Sequence, residues 1–96
     1  MRSASPEWRR QPISAGSTHS VVLYFAPECH LCAAARRVIG QVRDETPFEL
    51  TEVDITGDPA LEDSYRERIP VVVVDGEPAF TFYVHPDGLR RRLGAL

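Results

Sequence analysis

From residue 20 onward the hydrophobic positions change period several times, and each change marks an element. Val21 to Phe25 is apolar at every position, the pattern of a central strand covered on both faces. From Leu31 the spacing becomes helical. Leu31, Ala34, Ala35, Val38, Ile39 and Val42 share one side, and Arg36, Arg37, Gln41 and Arg43 take the other. Pro47 bounds this helix. Alternation returns with Phe48 and Leu50, then Val53 and Ile55, which predicts a second strand over Phe48–Ile55. Asp58 as cap and Pro59 at the first helical position open a short helix ending near Arg66. Val71 to Val74 is the strongest strand signal in the chain. Asp75-Gly76 suits a two-residue type I′ turn, and Ala79 to Val84 reads as the returning strand, with Pro78 at its start where a missing N–H is tolerable. His85-Pro86-Asp87-Gly88 breaks that strand. Leu89, Leu93 and Leu96 form the apolar stripe of a last helix whose Arg90, Arg91 and Arg92 face solvent. Tyr24 and Tyr83 are read as core or sheet-face residues.

The resulting order, β-α-β-α-β-β-α, predicts an α/β domain over residues 20–96, a four-stranded mixed sheet with both faces covered by three helices. Residues 1–19 are rich in Ser, Pro, Arg and Gly without periodicity and read as a disordered tail, in which Trp8 is the exception.

Composition narrows the functional classes. Ninety-six residues suffice for one domain with a modest core. A net charge of −3, with Arg2, Arg9 and Arg10 concentrated in the first residues, argues against a nucleic-acid partner. No segment approaches the roughly 20 apolar residues of a membrane span, and the N-terminus lacks the apolar region of a secretory signal, so the cytoplasm and a monomer are the expected setting. Two cysteines exclude a disulfide scaffold.

Those two cysteines are Cys29 and Cys32, in Cys29-His30-Leu31-Cys32, directly after a strand and a short loop and directly before a helix. A spacing of three puts both sulfurs in the first helical turn, close enough to join. Cys29, at the helix start, faces unpaired backbone N–H groups and the positive end of the helix dipole, both of which stabilise a thiolate. Cys29 is therefore expected to attack and Cys32 to resolve. Protonated His30 would favour the thiolate and Glu28 would oppose it. A closed zinc site needs four ligands, and only Cys29, Cys32 and His30 lie close in sequence. Haem attachment needs a His after the second Cys, where Ala33 stands. Neither a metal nor another cofactor is expected.

Leu23-Tyr24-Phe25-Ala26-Pro27-Glu28-Cys29-His30-Leu31-Cys32, followed about forty residues later by Arg68-Ile69-Pro70-Val71 and then Asp75-Gly76, resembles the thioredoxin superfamily, and most of all small bacterial glutaredoxin-like proteins. The resemblance covers residues 20–96 and implies a thioredoxin-like fold with Cys29 and Cys32 as the redox pair. It implies that Pro70 is the superfamily's cis-proline opposite the cysteines, keeping metal from the thiols, with Ile69 offering its backbone to an extended substrate. Typical glutaredoxins carry Cys-Pro-Tyr-Cys, a basic residue before it and a Gly-Gly-x-Asp-type turn after the last strand. Here Ile69, Pro70 and Arg68 are what remains of the glutathione-binding pattern, so glutathione is a doubtful partner. The expected function is exchange of disulfides with a protein or small thiol. A non-catalytic binding module of the same fold is the alternative, and metal or iron–sulfur carriage by Cys29 from two chains is a third, disfavoured by Pro70.

Overall fold

The computed structural model describes residues 19–95. The expected tail with its Trp8, and Leu96 of the last stripe, lie outside the described residues. His19, read as the last residue of the tail, is tied to the domain: its Nδ1 lies 2.7 Å from a carboxylate oxygen of Asp75.

The elements follow the predicted order: β1 Ser20–Phe25, α1 His30–Glu45, β2 Glu49–Asp54, α2 Pro59–Tyr65, β3 Val71–Val74, β4 Glu77–Thr81 and α3 Pro86–Arg92. The strands form one mixed sheet in the order β2-β1-β3-β4. β1 pairs parallel with β2 and antiparallel with β3, and β3 pairs antiparallel with β4. The all-apolar β1 is thus an inner strand, as its pattern requires.

Side-chain alternation assigns the layers. Val21 and Leu23 of β1, with Val72 and Val74 of β3, meet Ala35, Ile39 and Val42 of α1, Leu89 of α3 and Leu93 just past its end in one buried cluster. Tyr24, on the opposite face of β1, stacks on Tyr65 at the end of α2, ring centroids 4.4 Å apart. α1 and α3 therefore cover one face of the sheet and α2 the other. Burial, then the neighbouring Tyr65, push the Tyr24 phenol above its ordinary value.

Local signals fall where the chemistry puts them. Asp58 caps α2 by accepting from the amides of Ala60 and Leu61. Asp75 and Gly76 have φ of 52° and 83°, the two left-handed positions of the predicted hairpin turn.

α1 ends at Glu45, just short of Pro47, which bounds it as expected. Three expectations need correction. β4 spans Glu77–Thr81 rather than Ala79–Val84: Val73 pairs Pro78 and Val72 pairs Phe80, so Ala79 is an extra residue, a bulge, and the strand stops at Thr81. Tyr83, past that end, is exposed. Arg90 is not on a solvated side. It reaches Glu45 at the end of α1 through two bonds of 2.9 and 3.0 Å and Asp87 through one of 2.8 Å, clamping α3 to α1.

Candidate active site

β1 delivers the chain at Phe25 into Ala26-Pro27-Glu28, a turn in which Glu28 adopts φ 61°, and α1 begins at His30. Cys29 is the N-cap of α1. Its Sγ accepts the backbone N–H of Cys32 at 3.1 Å, one of the amides that a helix start leaves without a backbone partner. The sulfur thus takes the place usually held by a Ser or Asp oxygen. Cys29 and Cys32 are joined as a disulfide, with Cα atoms 5.2 Å apart, inside the roughly 4.4–6.8 Å that such bonds need.

The two sulfurs differ in access. Cys29 is half-buried, whereas Cys32, three residues into the motif, is 2% exposed. An incoming disulfide meets Cys29 first. His30 is exposed at the first position of the helix.

An open hollow of about 410 Å³ adjoins the pair, walled by Phe25, Pro27, Glu28, His30 and Arg36 among others. Arg36 follows Cys32 by four residues, so it shares that side of α1. Its guanidinium lies 4.8 Å from the Phe25 ring centroid and its Nε donates to Glu52 at 3.1 Å. Phe25 and Arg36 were not among the expected site residues, although the spacing of four from Cys32 was a usable signal for Arg36.

Ile69, Pro70 and Arg68 do not line this hollow. The Ile69–Pro70 bond is cis, Ile69 is half-buried and Pro70 buried. Because Tyr24 pairs Val71, the next step of the antiparallel register brings Pro70 opposite Phe25, at the end of the sheet from which the Cys29 loop leaves. Arg68 points elsewhere: its guanidinium donates to the Ser64 carbonyl, lies 5.7 Å from the Tyr65 ring centroid, and helps line a separate hollow along α2. The structure therefore joins Cys29, His30 and Cys32 in one place, with Pro70 at the same sheet end and Arg68 on another surface. Among the described residues no three His, Cys, Asp or Glu side chains gather as metal ligands, and no helix is long and apolar enough to cross a membrane.

Residues 20–94 match the model of a family described as glutaredoxin-like domain (DUF836). Among solved structures, a structural-genomics target protein from X. campestris is 30% identical, with a TM-score of 0.66 over 79% of this chain and 97% of its own. Protein Ne2328 from Nitrosomonas europaea is 23% identical, with a TM-score of 0.68 over 78% and 91% of the two chains. A mutant thioredoxin from Halobacterium salinarum is 20% identical, with a TM-score of 0.61 over 82% and 74%. These matches share the thioredoxin-like fold. No curated protein matches the chain.

Proposed function

The chain belongs to the glutaredoxin-like domain family, and on that premise we propose that it is a thiol–disulfide oxidoreductase working through Cys29 and Cys32. One observation supports this above the others: Cys29 caps α1 with its sulfur on the Cys32 amide, while Cys32 is shielded behind it. A sulfur in that position is stabilised as the anion, the form that attacks.

In the reduced protein the Cys29 thiolate attacks one sulfur of a substrate disulfide. A Cys29–substrate bond forms as the substrate bond breaks, and the departing thiolate takes a proton from water. Cys32, on losing its own proton to solvent, attacks Cys29 Sγ. The Cys29–Cys32 bond forms, the second substrate thiolate leaves, and two electrons have passed from protein to substrate. An external thiol restores the dithiol by the reverse exchange. The proposed partner is a disulfide-bearing protein or small thiol, met by an extended segment at Ile69 and Pro70, with His30 at the mouth and Arg68 farther off. Glutathione is not favoured. The proposed setting is a reducing cytoplasm, where such a pair can be cycled, and the proposed working form is a monomer without nucleic-acid partners.

The test is reduction of insulin and of hydroxyethyl disulfide by wild type, Cys29→Ser and Cys32→Ser with dithiothreitol as electron source. The expected result is loss of all turnover in Cys29→Ser and a trapped mixed disulfide in Cys32→Ser. Equal rates in all three would leave a binding module of the same fold.

A further inference from the structure

The large apolar side chains that stand in the open among the described residues are consecutive: Phe82, 42% exposed, and Tyr83, 63% exposed. Their backbone is unusual. Phe82 has φ 68°, and the Tyr83 N–H donates to the Thr81 carbonyl at 2.7 Å. Three residues thus close a γ-turn of the positive-φ kind, which is rare and strained, and for a residue as bulky as Phe an outlier. Glycine would take the same conformation at no steric cost.

The turn is also pinned. The Phe82 N–H donates to the Pro70 carbonyl at 3.0 Å. Tyr24 pairs Val71 and Val71 pairs Thr81, so one step further Phe25, Pro70 and Phe82 form a row across the end of the sheet. At about 4.8 Å per strand, Phe82 stands roughly 10 Å from the end of β1 that leads to Cys29. About three residues of extended chain span that gap. Neither aromatic belongs to the core cluster. The strain is therefore held outside the core cluster, at the end of the sheet from which the Cys29 loop leaves, where observed strain points to function.

We infer that Phe82 and Tyr83 are the apolar wall on which an extended polypeptide segment rests while Cys29 attacks its disulfide, and that they favour protein over small disulfides. This deepens the redox reading above and rests on it. Charge favours the same occupant. A small anionic disulfide needs a cation at the sulfurs, yet Arg36, the arginine that lines the hollow beside them, is paired with Glu52. Glu28 adds an exposed carboxylate at the hollow beside the cysteines. An uncharged apolar segment meets no repulsion there and covers both rings.

The test compares kcat/KM for insulin with kcat/KM for hydroxyethyl disulfide in wild type, Phe82→Gly and Tyr83→Ser. Phe82→Gly removes the ring while suiting the backbone, so its thermal midpoint should equal or exceed that of wild type. The insulin-to-small-disulfide ratio should fall about tenfold, as for loss of an aromatic anchor, mainly through KM for insulin, and Tyr83→Ser should lower it in the same direction. An unchanged ratio in both variants, or an equal loss on both substrates, overturns the inference while leaving the redox reading intact. If wild type turns over neither substrate, the redox reading fails first and takes this inference with it.

Discussion

Isolating the Cys29 sulfur gives the sharpest quantitative prediction. The chain has two cysteines, so Cys32→Ser leaves Cys29 as the sole thiol, still at the start of α1 and still facing the backbone N–H of residue 32. A hydrogen bond to a charged acceptor contributes about 1.5–3 kcal/mol, and the helix dipole at its first turn about 0.3–1 kcal/mol. Both hold the Cys29 thiol below the ordinary value of a free thiol. Half-burial of Cys29 and the carboxylate of Glu28 act in the other direction and reduce the effect without cancelling it. At neutral pH a larger share of the sulfur would be thiolate than in a free thiol. The assay is the rate of iodoacetamide alkylation across pH 4–10, on the folded variant and on the same variant in urea. The folded midpoint should lie at least about one unit below the unfolded one, and Glu28→Gln should move it further down. Coincident folded and unfolded midpoints would refute the claim that the helix start activates Cys29.

Two further outcomes test the frame that holds the site. Asp75 accepts from His19 and from the Ser20 amide, and these contacts, the His19 one first, hold its carboxyl below the usual carboxylate range. Because the folded value is the lower, its stabilisation is present above the unfolded value of about 3.9 and is lost as pH falls through the folded value. Asp75→Asn, which keeps the turn preference of the hairpin, should melt below wild type at pH 5–6 and match it near pH 2; a gap of constant size at every pH would contradict this. Leu89 is fully buried between α3, α1 and the sheet, so Leu89→Ala should cost about 2–5 kcal/mol in urea unfolding, and a loss under about 1 kcal/mol would show that α3 is not seated as described.

Much of this was readable in the chain because its strongest signals are local. Val21–Phe25 has no polar position and became an inner strand; Asp58-Pro59 capped a helix; Asp75-Gly76 made a hairpin turn; and a cysteine pair in the first turn of a helix needs only its spacing to meet. What escaped notice depends on partners distant in sequence or on one backbone angle. Nothing near Arg90 announces that Glu45, forty-five residues earlier, will claim its guanidinium. Alternation carried β4 through to Val84, but the extra Ala79 and the positive φ of Phe82 break the period, and Tyr83 leaves the sheet face it was assigned to. Arg36 looked like one cation on a polar helix side, and only the return of β2 beside α1 gives it Glu52 as a partner and Phe25 as a floor.

Whether Cys29 and Cys32 form a working redox couple or a permanent link is decided by the reduction potential of the pair, measured by equilibrating the protein in glutathione buffers of graded ratio and quantifying the free thiols. An activated sulfur at a helix start stabilises the reduced form, so the potential should lie between about −270 and −120 mV, where catalytic dithiols lie. A value below about −300 mV, where structural disulfides lie, would contradict it.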